Sequence, residues 1–466
     1  MKKIACFCIP AHGHTNPMLP VLRALVDHGN AVRFYSFQAF REKVLATGAE
    51  FVACDAYLSE LSAKEEARLK RVSTTEMTLQ AIKATIQMDA FIAEEFKTFF
   101  PDVIFTDSVC FWGKLTAFKY GVPMVVSTST FAFNQLSSQY MKYSPKELAD
   151  MVLGLPKISK ALHSLEPYGY KVKNALSLVQ SDNATDSIVY ATQRYQPYSE
   201  SFSEHYLFAG PSLFSAVKPR KSHERPLVYI SMGTIINDRP DFYRSCVAAL
   251  KDMDVDVVLS CGDHMETKLP APLPERFSAY ASVDQPQVLS RANVFITHCG
   301  MNSVSESLYM ATPMVFYPQT GEQCAVARRA SELGAGVFLK NDGAEGIRRA
   351  VREVLEHPAY AQAAAECSAD FRAAPGPAEA AKFIETAPHT SSGPDVLAEL
   401  NKHNGIAQIV YWLIVCAIIV LFGLLVTWKN VWIIGVVAGM VSSPILKIVQ
   451  QKRYPKLIQK IKQAER

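Results

Sequence analysis

The sequence predicts an α/β protein made of two doubly wound, Rossmann-like domains, followed by an apolar, membrane-directed tail. Three observations carry this. Short apolar runs alternate with amphipathic segments through the first 210 or so residues, the rhythm of βαβ units. The same rhythm restarts after a Ser-, Pro- and Lys-rich stretch, and a long uncharged run follows near the end of the chain. At 466 residues the chain is longer than one hydrophobic core usually supports, so two domains and an extra segment are the expected organisation.

The first domain is assigned residues 1–212. Its strands are predicted at Lys3–Ile9, Ala31–Ser36, Val103–Thr106, Met124–Ser127 and Ser187–Ala191, with helices that include Leu19–Asp27 and a long one over Thr75–Phe99. The opening MKKIACFCIP resembles a signal peptide only superficially. Its apolar run is too short for an h-region and a Gly/His/Asn/Pro turn follows directly, so it reads as a first strand. The section 128–182 breaks the rhythm. Its aromatic residues Phe131, Phe133, Tyr143, Tyr168 and Tyr170 suit either loops lining an apolar pocket or the domain core. Residues 213–226 are read as an interdomain linker. The second domain, 227–385, has strands predicted at Leu227–Ser231, Val255–Ser260, Val294–Thr297, Met314–Tyr317 and Gly336–Leu339.

The formal charge of +4 hides a division. From Gly405 onward eight basic residues face one acid, a net +7, so the rest of the chain stands at −3. A mildly acidic globular part argues against a nucleic-acid binder. Ten cysteines are scattered without a C-x-x-C pair, the pattern of reduced core residues rather than of a disulfide framework or a zinc site. The sequon at Asn183 is expected to be incidental.

The most informative chemistry lies between Thr297 and Gly336. After the strand ending at Thr297, His298 and Gly300 form a tight turn, and Asn302 and Ser303 open a helix that begins near Met301. A diphosphate fits there. Free backbone N–H groups and the positive end of the helix dipole would meet its oxygens, with His298, Asn302 and Ser303 as side-chain donors. Glu306, one turn on, can accept from ribose hydroxyls. Past the next strand, Glu322 and Gln323 set a carboxylate beside an amide, an acceptor and donor pair suited to sugar hydroxyls. Ser231-Met-Gly233-Thr234 adds a glycine turn after the first strand of the second domain.

The pattern HCGxNSxxE followed by PxxxEQ closely resembles the donor signature of the family 1 glycosyltransferases, the UDP-glycosyltransferases, and over roughly residues 1–385 the chain looks most like their bacterial macrolide and flavonoid members. The resemblance implies the GT-B architecture, two facing Rossmann-like domains with the substrates at the carboxyl ends of the strands. It also implies a general base. The family's histidine before the first helix matches Gly13-His14, with Asn16-Pro17 following as in macrolide-type members, and His12 is the alternative. A neutral imidazole suits the task, because an acceptor hydroxyl must lose its proton as it attacks the anomeric carbon. The run Pro101–Asp107 resembles the family's PDxxxxD segment, which carries the role of histidine partner to Asp107. Displacement would be in line and inverting, with a nucleotide sugar as co-substrate, no cofactor and no metal. Two departures stand out. Where the family often has a tryptophan before Pro-Gln to stack on the base, this chain has Asp284 and Gln285, leaving Gln287 to hydrogen-bond uracil; and Ala311 replaces the usual helix glycine. Glu322-Gln323 matches members that use glucose.

Residues 386–404 read as a second linker, 405–449 as one or two transmembrane helices, and 450–466 as a basic cytoplasmic tail. The run 404–428 has 25 residues without a charge, enough to cross about 30 Å of hydrocarbon. A second apolar run covers 431–446, and Trp412, Trp428 and Trp432 fall near the run ends, as interface anchors would. The positive-inside rule places the tail, and with two spans the catalytic domains, in the cytoplasm of a bacterial cell, with anionic lipid as the tail's partner. The expected acceptor is apolar: a macrolide, polyketide or flavonoid, or alternatively a membrane lipid such as a sterol, carotenoid or diacylglycerol. A non-catalytic nucleotide-sugar binder is the remote alternative.

Overall fold

A computed structural model describes residues 1–57, 73–172, 183–214, 219, 225–233, 238–262 and 269–390. The expected tail, residues 405–449 and 450–466, lies outside the described residues, as do most of the 386–404 linker, much of 213–226, and Thr234. Among the described residues no helix is long and apolar enough to cross a membrane.

The first half runs β1 (Lys3–Phe7), α1 (His12–Asp27), β2 (Ala31–Ser36), α2 (Arg41–Leu45), β3 (Glu50–Ala53), α3 (Thr74–Thr98), β4 (Val103–Asp107), α4 (Phe111–Tyr120), β5 (Met124–Thr128), α5 (Pro145–His163), β6 (Asp186–Val189) and β7 (Tyr206–Phe208). The second half continues with β8 (Leu227–Ser231), α6 (Pro240–Leu250), β9 (Asp256–Ser260), β10 (Phe277–Tyr280), α7 (Gln285–Arg291), β11 (Val294–Thr297), α8 (Met301–Tyr309), β12 (Met314–Phe316), α9 (Gly321–Glu332), β13 (Gly336–Phe338), α10 (Ala344–Glu356), α11 (Pro358–Arg372) and α12 (Gly376–Thr386).

Two sheets result, one of seven strands in the order β3-β2-β1-β4-β5-β6-β7 and one of six in the order β10-β9-β8-β11-β12-β13. The pairs from β3 through β6 are parallel, and so are all those of the second sheet. Their central strands are continuous apolar runs because both faces are covered by helices. Ile4, Phe34, Ile104 and Val125 are fully buried in the first sheet, as are Val228, Ile230, Ile296 and Val315 in the second.

The chain divides into two compact units. The larger, Met1–Ser181, Thr185–Pro197 and Leu207–His389, holds both sheets apart from Tyr206. The smaller comprises Asp182–Ala184, Tyr198–Tyr206 and Thr390–Arg466. Within it the Asn183 amide is built into the fold: Nδ2 donates to the Ser201 carbonyl (3.2 Å) and Oδ1 accepts from the Ser203 N–H (3.3 Å).

Three findings differ from the sequence reading. First, α1 begins at His12 rather than Leu19, with Pro17 and Pro20 inside it. Each proline removes one N–H from the helix, yet the early turns form around them. Second, the irregular section 128–182 contains the 19-residue helix α5, opened by a capping box in which Ser144 Oγ accepts from the Glu147 N–H and the Glu147 carboxylate accepts from the Ser144 N–H. Phe131 and Tyr170 of this section are core residues, whereas Tyr143 and Tyr168 are exposed. Third, α12, inside the range assigned to the second domain, packs against the first. Its Ala380, Ala381 and Ile384 join the core around Leu22 and Phe34, and Glu385 accepts from Asn30 Nδ2 at 2.5 Å.

Candidate active site

The candidate base stands where three strand ends meet. β1, β4 and β5 are neighbours in the first sheet. They deliver the α1 N-terminus, Asp107 at the last position of β4, and Ser129 just past β5. His14, in the first turn of α1, places Nδ1 2.8 Å from Asp107 Oδ2 and 2.9 Å from Ser129 Oγ. Asp107 is fully buried, and its Oδ1 accepts the Val109 N–H at 3.0 Å. An ionised carboxylate only accepts, so it selects the tautomer with the proton on Nδ1 and leaves the Nε2 lone pair free. Burial pushes the His14 pKa down, but the charge and hydrogen bond of Asp107, with a further contribution from the Glu322 charge, outweigh it and leave the imidazole raised above its ordinary value. His12, the alternative, is exposed and packs edge-on against Phe40, and burial followed by the Lys43 charge lowers its pKa.

Ser129 was not singled out from the sequence. The available signal was its position immediately after a parallel strand, where side chains reach the carboxyl edge of the sheet.

The second sheet supplies the facing wall. β11 ends at Thr297, Cys299 adopts a left-handed φ of 69°, and Gly300 is the N-cap of α8. The His298 ring lies in a slot made by two glycines. A Cβ on Gly233 would sit 2.5 Å from His298 Nε2, and one on Gly300 would sit 2.7 Å from the same atom. Burial, partly offset by the Ser231 backbone, lowers the His298 pKa to about 4, and among the described residues its buried Nδ1 has no hydrogen-bond partner.

Asn302 links the two walls. Its Nδ2 donates to the Gly13 carbonyl at 3.0 Å. That carbonyl would ordinarily accept from residue 17 within α1, but Pro17 has no N–H to give. The proline therefore releases an acceptor beside His14, and Asn302 of α8 takes it up.

Ser303 and Glu306 come together through a residue the sequence reading noted only as a departure. Gln285 Nε2 donates to Glu306 Oε2 (2.7 Å) and to Ser303 Oγ (3.3 Å), while Tyr229 Oη donates to Gln285 Oε1 (3.1 Å). Burial raises the Glu306 pKa to about 7, against the hydrogen bond from Gln285. Asp284, one of the two residues noted where the family often has a tryptophan, caps α7 by accepting from the Gln287 N–H (3.3 Å). The Gln287 side chain is exposed, so Gln285, two residues earlier, is the amide joined to Ser303 and Glu306.

Glu322 and Gln323 open α9. Burial raises the Glu322 pKa and the charge of His14 opposes it, which places the two groups within electrostatic reach. Gln323 Oε1 accepts from the Gln319 N–H at 2.7 Å, its own N–H is capped by Thr320 Oγ1, and Gln319 is held in turn by Arg239. Arg239 also donates to Tyr317 Oη at 2.7 Å, and that hydroxyl donates to Asp342 Oδ2 at 2.5 Å. Of its members only Gln323 belongs to a motif read from the sequence, so the brace as a whole was not anticipated.

Two facing parallel sheets, each with its polar residues at the carboxyl edge, define a GT-B glycosyltransferase fold. Residues 244–386 match the domain family described as "Erythromycin biosynthesis protein CIII-like, C-terminal domain". The chain is 31% identical to the NDP-glycosyltransferase YjiC of Bacillus licheniformis over 396 residues, which cover 82% of this chain and 97% of that protein. It is 27% identical to the demethyllactenocin mycarosyltransferase of Streptomyces fradiae over 402 residues, covering 83% and 86%. The crystal structure of the glycosyltransferase of kitacinnamycin superimposes with a TM-score of 0.68 at 26% identity, covering 82% of this chain and 98% of that one. The chain belongs to the family 1 glycosyltransferases and is an enzyme of the UDP-glycosyltransferase kind.

Proposed function

We propose that the protein transfers a hexose, glucose in the first instance, from a UDP-sugar to a hydroxyl of an apolar acceptor of macrolide, polyketide or flavonoid type, with inversion. The observation that carries this reading is the His14–Asp107 pair, joined at 2.8 Å, with the Glu322 charge adding to the rise of the His14 pKa. His14 Nε2 takes the acceptor proton as the oxygen attacks the anomeric carbon. Asp107 holds the tautomer and stabilises the imidazolium that forms. The departing diphosphate is received by the N-terminus of α8, His298, Asn302, Ser303 and the turn at Gly233 and Thr234, a donor set that makes a divalent cation dispensable. His298, neutral at working pH, brings an N–H without a counter-charge. Glu306 accepts from the nucleoside sugar, Gln287 serves the base, and Glu322 and Gln323 serve the hexose hydroxyls.

The natural-product reading draws support from the mycarosyltransferase relative and the kitacinnamycin enzyme. The uncharged run 404–428 favours a second reading, in which a membrane anchor holds the catalytic domains at the cytoplasmic face and the acceptor is a membrane lipid. Incubating the protein with UDP-glucose and separate panels of polyphenols, macrolides and detergent-dispersed lipids, read by mass spectrometry, decides between them. Glucosides in the soluble panels support the first reading, and glucolipid alone supports the second. Absence of both UDP-glucose hydrolysis and glucosyl transfer in every panel would reject both.

A further inference from the structure

We infer that Arg239, a residue outside the donor motif, is the positioning residue for the transferred sugar: acting through Gln319 it fixes which way the Gln323 amide points, and so governs affinity for the hexose without touching the nucleotide. This rests on the reading above that Gln323 serves the hexose hydroxyls.

A chain of hydrogen bonds with one possible direction runs from Asp342 to Gln323. The Asp342 carboxylate accepts, so Tyr317 Oη spends its single proton there (2.5 Å) and must accept from the Arg239 guanidinium (2.7 Å), which has only donors. A second Arg239 nitrogen donates to Gln319 Oε1. With its oxygen so taken, the Gln319 amide gives its NH₂ to the Tyr317 carbonyl at 3.0 Å, and both ends of that amide are pinned. The Gln319 backbone N–H then meets Gln323 Oε1 at 2.7 Å. A donor at that place decides the flip of the Gln323 amide, with the oxygen bound to the loop and the NH₂ left over. Among the described residues nothing accepts from that NH₂ group. Phe242 of α6 stacks on the Tyr317 ring with centroids 4.4 Å apart and planes at 11°, which anchors the brace in α6 as well as in the loop.

Arg239 has little left to offer a diphosphate. Two of its nitrogens are engaged, and Asp342 Oδ2 lies 3.7 Å from one of them to balance its charge. Without Arg239 the Gln319 side chain loses its anchor, and the Gln323 amide is free to turn its oxygen where its NH₂ should be. A sugar hydroxyl that accepted from Gln323 then loses its donor, while the nucleotide contacts on α8 are unchanged.

Titration calorimetry of the full chain with UDP-glucose and with UDP, in the absence of acceptor, separates the two contributions. Arg239→Met, which keeps the side-chain length and removes every donor, is expected to weaken UDP-glucose by about tenfold and to leave UDP within about twofold. Arg239→Lys, which can still donate to Gln319 or Tyr317, should recover most of the loss. Gln319→Leu should reproduce the effect of Arg239→Met, and the double variant should lose no more than either alone. A packing defect would instead weaken both ligands together and would not be rescued by lysine. Equal loss for UDP and UDP-glucose, or unchanged UDP-glucose affinity in Arg239→Met, overturns the inference. If Gln323→Ala weakens UDP-glucose while Arg239→Met does not, only the role of Arg239 falls; if neither does, the reading of Gln323 as a sugar contact falls with it.

Discussion

At the residue scale the account turns on His14. Replacing it with alanine should lower kcat by roughly 10²–10⁴-fold with UDP affinity almost unchanged, because the imidazole acts on the acceptor proton alone. The pH dependence has a definite sign. His14 must be neutral to act, and its raised pKa sets the acidic limb of the rate profile above the ordinary histidine value. Asp107→Asn removes the charge that raises it, so the limb should move to lower pH while the plateau rate falls. The same pair bears on stability. Its contribution is full below the unfolded histidine pKa of about 6.5 and is lost as pH rises through the higher folded value. A second residue-scale expectation concerns the His298 slot. Gly233→Ala would put a methyl 2.5 Å from the imidazole, so the ring must shift, and UDP binding by calorimetry should weaken by about tenfold or more. Unchanged affinity would remove His298 from the diphosphate site.

At the element scale, the strands read correctly from sequence are those with continuous apolar runs, and those passed over are edges. β3, β7 and β10 lie at the margins of their sheets. With one side open, Glu50–Ala53 and Phe277–Tyr280 carry exposed or half-buried residues that break the apolar signal. The start of α1 was hidden for a related reason, since two prolines normally argue against helix interior; in the fold, Pro17 instead frees the Gly13 carbonyl that Asn302 binds. The motif residues of α8 were legible because a strand, turn and helix in sequence order suffice to place them. Ser129 and Gln285 were not, because their roles come from side chains far away in the chain. α12 yields a test of its own. Cutting the chain after Ala374 removes Ala380, Ala381 and Ile384 from the first core and should cost roughly 4 kcal/mol of stability, seen as a lowered urea midpoint. The same urea midpoint in the shortened and the full chain would show that α12 is not a structural part of the first domain.

At the scale of the whole molecule, the two sheet-bearing halves are joined by hydrogen bonds, one of which touches the candidate active site. Asn302 reaches Gly13, Tyr195 Oη donates to the Val326 carbonyl at 2.9 Å, and Tyr140 Oη donates to Glu332 at 2.7 Å. On the proposed reading, a donor at the α8 N-terminus lies next to the helix that carries His14, and proximity of that kind lowers the barrier without new chemistry. Chelation should leave the rate unchanged, since charge on the leaving diphosphate is met by the helix terminus and side chains; loss of activity with EDTA, restored by Mg²⁺ or Mn²⁺, would contradict that.

The most direct test of the central claim is the anomeric configuration of the product. Wild-type protein and His14→Ala are each given UDP-α-glucose and a soluble polyphenol acceptor, and the glucoside is examined by proton NMR. The account predicts a β-glucoside from the wild type, with formation slowed at least a hundredfold in the variant. An α-glucoside, or a β-glucoside made at the same rate by both proteins, would contradict it.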